Sequence, residues 1–194
     1  MVASIIQRFC WRGLRVVGFA RYSWNKQFDA GLWCRGQRNP HTLSRVADLC
    51  SGGKLIEFGC GEGTLPHQLP PGTFSDYCGF DISDVAIRAA REKARNAGLQ
   101  RCKFERCDMA TWEGSDSASL ILAEECIYYL TPARIQHFCR VCSASLLPRG
   151  AILIIVHSGT KHARSLEACR SVCTVMDENI IDGRVFLTLA AKET

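Results

Sequence analysis

Apolar and polar positions change in blocks along the chain, and the blocks predict strands alternating with helices. Apolar runs at 54–58, 77–80, 102–107, 119–123 and 151–156 have the length of buried strands. Helical patterns at 64–69, 84–98 and 132–146 separate them, with Ser83 or Asp84 and Thr131 as N-caps. Runs at 172–180 and 184–191 predict a terminal hairpin. The predicted fold is an α/β sheet of five parallel strands with helices on both faces and a C-terminal antiparallel hairpin.

The first 47 residues differ from the remainder in charge. They hold eight Lys or Arg against Asp29 alone, a net +7, whereas the whole chain carries +5. We therefore divide the chain into a basic, aromatic-rich N-terminal segment, 1–47, and a main domain, 48–194. The N-terminal segment is expected to be helical and to cover the ligand site as a lid. Three arginines interrupt the apolar run of residues 1–20, which argues against a signal peptide or a membrane span. That stretch is either a helix packed on the domain or an amphipathic helix in peripheral contact with a membrane.

Charge and cysteine usage narrow the class of protein. The main domain carries a net −2, so we expect no nucleic-acid partner. The twelve cysteines are scattered, which predicts free thiols and a cytoplasmic protein. Cys139 and Cys142 form a CxxC without a second pair, and we expect no metal. Either a monomer or a homodimer fits.

The stretch "KLIEFGCGEG" carries the first candidate chemistry. Gly59, Gly61 and Gly63 follow the first predicted strand, and ligands of parallel sheets bind beyond the C-terminal ends of strands. The spacing departs from GxGxxG, and Glu57 and Glu62 flank the loop. Acidic neighbours favour a ligand that is cationic at that end over a diphosphate.

Two further acids end the next two predicted strands. Asp81 follows the second strand, where a carboxylate can accept hydrogen bonds from ribose hydroxyls. Asp108 follows the third strand, and Met109 offers an apolar face to an adenine ring. A nucleoside with a positively charged, amino-acid-like tail suits all three features, and S-adenosylmethionine is such a ligand.

Four motifs now carry a family resemblance. "LIEFGCGEGTL", "YCGFDIS", "FERCDM" and "LILAEECIYYL" resemble, in order, the cofactor motifs of class I S-adenosylmethionine-dependent methyltransferases. "AEECIYYL" followed by "LLPRGAILIIV" is similar to the nodulation-protein-S (NodS-like) type, which methylates an amino sugar on a lipo-chitooligosaccharide. The resemblance implies a Rossmann-like sheet of seven strands with the last antiparallel, S-adenosylmethionine as cofactor and S-adenosylhomocysteine as product. It also implies direct displacement onto an O or N of a small-molecule or glycan acceptor, with amino sugars and lipid-linked glycans among the candidates.

The resemblance also implies roles for individual residues. Those expected at the methionine end of the cofactor are Glu57, Gly59, Cys60, Gly61, Gly63 and Glu124. Asp81 would bind the ribose, and the adenine would contact Ile82, Asp108 and Met109. The catalytic candidates facing the acceptor are Glu125, His157, Glu124 and Tyr128, since a hydroxyl acceptor needs a general base. One of the adjacent tyrosines Tyr128 and Tyr129 should face the cleft and the other the interior.

Aromatic residues of the N-terminal segment are candidates for the acceptor side. Tyr22, Trp24 and Trp33 either stack on the acceptor or attach the segment to the sheet. Residues Lys161, His162 and Arg164 could bind an anionic acceptor, and a solvated loop is the simpler interpretation.

Three rival functions remain open. A non-catalytic binding module would keep the fold without the chemistry, and a methyltransferase acting on protein would share the cofactor site. A nicotinamide-dependent oxidoreductase is disfavoured by the glycine spacing. The "NPPY" signature of many base N-methyltransferases is absent, because residue 124 onward reads "EECIYY".

Overall fold

Five α-helices and seven strands make up the described part of the protein. The computed structural model describes residues 20–33, 36–114 and 117–192. The helices are α1 (Ala20–Asp29), α2 (Pro40–Cys50), α3 (Asp84–Asn96), α4 (Pro132–Ala144) and α5 (Ala163–Arg170). The strands are β1 (Lys54–Phe58), β2 (Asp76–Asp81), β3 (Cys102–Arg106), β4 (Ala118–Glu124), β5 (Leu146–His157), β6 (Thr174–Ile181) and β7 (Arg184–Ala190).

The seven strands form one sheet in the order β3-β2-β1-β4-β5-β7-β6. Strands β1 to β5 pair in parallel, while β7 runs antiparallel to both β5 and β6. The predicted fold class is therefore confirmed, including the C-terminal antiparallel hairpin. From β1 the chain continues outward to β2 and β3 on one side of the sheet and then to β4 and β5 on the other, so the strand order reverses at β1. A doubly wound sheet binds its ligand at such a point.

Local sequence explains where the helices begin. The side chain of Ser83 accepts the amide of Ala86 at 3.2 Å and caps α3. Thr131 caps α4 ahead of Pro132 in the same way. Asn39 caps α2, again with a proline at the first helical position. Apolar side chains cover both faces of the sheet, with Phe58, Phe80, Trp112 and Phe138 in one cluster and Tyr77 and Phe104 in the other.

Several predicted elements differ in the structure. The helix expected at 64–69 is a single 3-10 turn, Leu65–His67, because two prolines follow closely. The stretch interpreted as a solvated loop around residue 162 leads directly into α5. Strand β5 begins at Leu146, five residues before the prediction.

The boundary drawn after residue 47 falls inside α2. The predicted helix at residues 1–20 lies outside the described residues, except for Ala20.

The cysteines of the described segments are free. Cys139 and Cys142 lie on α4 and Cys169 on α5, all buried in the apolar cluster. They therefore pack as small apolar side chains. Across the same described segments, no helix is both long and apolar enough to span a bilayer.

Candidate functional site

A cavity of about 460 Å³ lies between α1 and the C-terminal ends of β1, β2 and β4. The loop after each of these strands contributes to its wall, as does the loop after β3. The volume falls within the range of small-molecule sites, and the position matches the point where the strand order reverses.

The glycine loop after β1 forms the floor of this cavity. Gly59, Gly61 and Gly63 all have φ between 55° and 70°, the left-handed region that glycine adopts without strain. A Cβ on Gly59 would lie 2.9 Å from the Cβ of Cys126, so the loop has no room for a side chain there. Gly59, Cys60 and Gly61 line the cavity, whereas Gly63 packs away from it. Burial raises the pKa of Cys60 well above its usual range, so Cys60 remains a thiol.

Asp81 faces the glycine loop across the cavity floor. Its carboxylate accepts the amide of Gly61 at 3.0 Å and that of Ser83 at 2.9 Å. Burial raises the pKa of Asp81 to about 6, against the opposing effect of these backbone hydrogen bonds. Each oxygen retains acceptor capacity, which suits two neighbouring hydroxyl donors.

Arg38 lies between two buried carboxylates at the other end of the glycine loop. It donates to Glu57 at 2.7 Å and to Glu124 at 2.5 Å, and its Nε donates to Thr64 at 3.1 Å. Glu57 also accepts the hydroxyl of Tyr77. Burial by itself would lower the pKa of Arg38, but the two carboxylates raise it, so the guanidinium is charged.

This arrangement corrects the expectation for Glu57. Its side chain is completely buried and does not line the cavity, because Arg38 and Tyr77 occupy both of its oxygens. Glu124 and Arg38 line the cavity instead. The pair of carboxylates with one guanidinium leaves an excess negative charge beside the loop.

The opposite end of the cavity is apolar with one carboxylate. Ile82, Met109 and Asp108 line it, as expected for an adenine site. Asp108 accepts the amide of Ala110 at 2.9 Å and caps the 3-10 turn Met109–Thr111, which fixes Met109 against the cavity.

On the acceptor side, Glu125 is the centre of a polar cluster. Its backbone is left-handed, with φ 57°, an unfavourable conformation for a residue other than glycine that is often found at functional sites. One carboxylate oxygen meets His157 Nδ1 at 2.5 Å and accepts the Tyr128 hydroxyl at 3.0 Å. The other accepts Arg184 at 3.1 Å. Glu125 lines the cavity, whereas His157 and Tyr128 are not among the residues that line it.

His162 is buried, in contrast to the expected solvated loop. Its ring stacks on Tyr128, with 3.9 Å between centroids. Burial lowers the pKa of His162, and nearby His157 lowers it further. This stacking also explains the two tyrosines: Tyr128 turns inward onto His162 and Tyr129 lines the cavity. Burial likewise raises the pKa of Tyr128, so its hydroxyl stays protonated.

Aromatic residues of α1 and its following turn cover the cavity. The Trp24 ring lies 5.5 Å from Trp33 and 5.2 Å from Tyr129, and all three line the cavity. Tyr22 does not: it is 55% exposed on the outer side of α1, beneath Lys26. The structure therefore leaves Tyr22 out of the acceptor side.

The cavity as a whole fits an adenosine joined to a zwitterionic amino acid. An apolar ring site, a carboxylate that can accept hydroxyl groups and paired charges all line the same cavity. Within the described ranges, no three His, Cys, Asp or Glu side chains are grouped so as to hold a metal ion.

Comparison with known proteins agrees with this chemistry. Residues 49–185 match the family described as a methyltransferase domain. The chain therefore belongs to the class I S-adenosylmethionine-dependent methyltransferases. Methyltransferase GfsG of Streptomyces halstedii is 29% identical over 144 residues, which cover 72% of this chain. The matched residues cover 51% of that curated relative, so the chain spans about half of its length.

Solved structures share the fold at low sequence identity. N-methyltransferase NodS from Bradyrhizobium japonicum WM9, in complex with S-adenosylhomocysteine, has a TM-score of 0.67 at 15% identity, covering 81% of this chain and 90% of that chain. An S-adenosylmethionine-dependent methyltransferase from Clostridium acetobutylicum ATCC 824 also has a TM-score of 0.67, at 11% identity, covering 81% of this chain and 94% of its own.

Sequence reasoning missed two arginines of the site. Arg38 lies in a loop and Arg184 begins β7, and neither belongs to a recognisable motif. The available signal was indirect: Glu57 lies in a strand predicted to be buried, and a buried acid requires a cation to pair with it.

Proposed function

We propose that this protein transfers the methyl group of S-adenosylmethionine to an oxygen or nitrogen of a small-molecule or glycan acceptor. The observation that carries the proposal is the single cavity in which the glycine loop, Asp81, Met109 and the acids Glu124 and Glu125 meet. A sulfonium-bound methyl is electrophilic, so the protein needs to align the reactants and manage one proton.

The cofactor roles follow from the lining of the cavity. Asp81 accepts both ribose hydroxyls, and Ile82 and Met109 sandwich the adenine beside Asp108. Gly59 and Gly61 allow the amino-acid end to lie on the backbone, with Cys60 between them and Gly63 supporting the loop from behind. Arg38 holds the carboxylate of that end, and Glu124, which also lines the cavity, attracts its ammonium group.

Glu125 and His157 form the acid–base pair of the acceptor side. An ionised carboxylate only accepts hydrogen bonds, so Nδ1 of His157 carries the proton and Nε2 is left as the basic nitrogen. His157 is 48% exposed and contacts the lining residue Glu125, so its Nε2 takes the proton from an acceptor that extends out of the cavity, and Glu125 stabilises the resulting imidazolium. Tyr128 orients Glu125 through its hydroxyl. Trp24 and Trp33 form the wall against which the acceptor packs.

Two observations bear on the class of acceptor. NodS is an N-methyltransferase, which favours an amine acceptor here as well. The open, aromatic-rimmed cavity suits a ring such as an amino sugar. A lipid-linked glycan would also agree with a basic segment at residues 1–20 that contacts a membrane. Deleting that segment would then lower partition onto anionic vesicles.

Calorimetric titration with S-adenosylmethionine and S-adenosylhomocysteine tests the proposal. We expect micromolar binding that Asp81→Ala abolishes, because the ribose loses both of its acceptors. Asp76→Ala is the matched control, since Asp76 is an exposed acid at the far end of the same strand. Absence of binding to either ligand would refute the proposal. Binding without turnover across amines, sugars and proteins would favour the non-catalytic module.

A further inference from the structure

A row of acidic and basic side chains in alternation joins the cofactor side of the cavity to the proposed acceptor side. We call this row the ionic chain; its members, in order, are Glu57, Arg38, Glu124, Arg184, Glu125 and His157. Neighbouring members are separated by 2.7, 2.5, 3.6, 3.1 and 2.5 Å. Ion pairs that share members in this way do not act independently.

Most of the ionic chain is shielded from water. The side chains of Glu57, Arg38, Glu124 and Glu125 are at most 8% exposed, whereas His157 at the end is 48% exposed. Charge interactions are stronger where water is excluded, so a change of partner at one buried member alters its neighbours. The exposed imidazole is then the place where such a change becomes measurable.

Arg184 is the member of the ionic chain that lies between Glu124 and Glu125. It lies directly opposite His157 in the antiparallel β5–β7 ladder, so the two side chains share a face of the sheet. Its Nη1 is 3.1 Å from Glu125 and 3.6 Å from Glu124, so it hydrogen-bonds the first carboxylate and is only close to the second. A movement of about half an ångström would exchange the two partners.

We propose that Arg184 is a positioning residue that couples occupation of the cofactor cavity to the Glu125–His157 pair. This inference rests on the proposed function, because it takes the ligand to carry an amino-acid carboxylate. That carboxylate competes with Glu124 for Arg38. Glu124 then draws Arg184 towards itself, and Glu125 is released to His157 and the acceptor. Glu125 and His157 are already in contact at 2.5 Å, so the cofactor does not form this pair but removes the guanidinium that competes for Glu125.

Nuclear magnetic resonance of the histidine ring tests this coupling without knowledge of the acceptor. The Cε1–H signal of His157, assigned by its loss in His157→Gln, is recorded with and without saturating S-adenosylhomocysteine. We expect the ligand to move this signal in the wild-type protein although His157 does not line the cavity. Arg184→Gln should remove the movement, and Arg184→Lys should restore part of it. His137 on α4 serves as an internal reference.

Lys161→Gln is the matched control. It removes one positive charge near the same rings but lies outside the ionic chain, so the ligand-induced movement should persist. Calorimetry on each variant shows whether the fold and the cofactor site are intact. A bound ligand that leaves the His157 signal unmoved, or moves it equally in Arg184→Gln, overturns the coupling while the proposed function stands. Failure of the wild-type protein to bind the ligand removes both.

Discussion

At the scale of single residues, Asp81 has two properties that oppose each other. Burial raises its pKa to about 6, whereas ribose hydroxyls bind best to the ionised carboxylate. Because the folded-state pKa lies above the ordinary 3.8, the unliganded fold loses stability as the pH rises from about 4 to about 6. Above that window the carboxylate is charged and ready for the ligand.

Affinity for S-adenosylhomocysteine should therefore depend on pH below about 6. If only the ionised form of Asp81 binds, affinity is full at pH 7 and about tenfold weaker at pH 5. Calorimetry at a series of pH values measures this dependence. Asp81→Asn, which stays neutral throughout, should bind weakly with a flat profile. The same slope in wild type and variant would assign the titration to another group.

Some residues of the site could be predicted from the sequence and others could not. Asp81, Ile82, Asp108 and Met109, which the sequence suggests for the cofactor site, line the cavity because each lies at or shortly after the end of a strand. The orientation of Glu57 was not predictable, since it depends on a guanidinium nineteen positions away along the chain. A contact of that kind is fixed by tertiary packing, which local pattern does not contain.

At the scale of elements, the glycine loop packs closely against α3 and β3. A Cβ on Gly63 would lie 2.6 Å from the Phe104 ring and 2.9 Å from Ala90. Gly72 has a similar left-handed φ, 82° against 69°, but nothing lies within 4 Å of its Cβ position. A comparison of alanine variants at Gly63 and Gly72 therefore separates the cost of backbone strain from the cost of crowding.

Gly63→Ala should be much more destabilising than Gly72→Ala. Left-handed strain costs about 1–2 kcal/mol in both variants, and crowding adds about 1–3 kcal/mol at position 63 alone. Urea unfolding of the two variants gives the comparison. Equal losses would mean that the loop moves away from α3 without penalty.

Elements were predictable where their signals are local. The strands from β1 to β4 and the hairpin were found because apolar runs end at glycine, acid or turn residues. Helix α2 was not delimited within the segment expected to be helical, although Asn39 and Pro40 are a strong start signal, because the chain was divided by charge after residue 47, inside this helix. Helix α5 has only eight residues, which is too few for a clear helical period.

For the whole molecule, Arg38 fastens the N-terminal segment to the centre of the sheet. Besides its two carboxylates it bonds Thr64 and, through its backbone amide, Gln68. Arg38→Met would leave two carboxylates buried without their cation, which costs about 3–5 kcal/mol of the free energy of unfolding. Urea unfolding followed by tryptophan fluorescence measures the loss.

Arg21→Met is the control from the same segment. Arg21 pairs with Asp84 at 2.6 Å, but its side chain is 58% exposed, so its removal should cost less than about 1 kcal/mol. Similar losses in both variants would show that the buried ion pairs contribute no more than a surface pair.

The wall of the cavity is built from two parts of the chain, one inside the region that matches the methyltransferase domain and one before it. The match to the methyltransferase domain begins at residue 49, yet Trp24, Phe28, Trp33 and Arg38 on the wall all precede it. Mutations in that leading stretch can reshape the chamber around an acceptor while Asp81 and the glycine loop stay unchanged. On the proposed function, exchanging residues 20–33 between relatives would change the wall offered to the acceptor while Arg38 and its buried ion pairs stay in place.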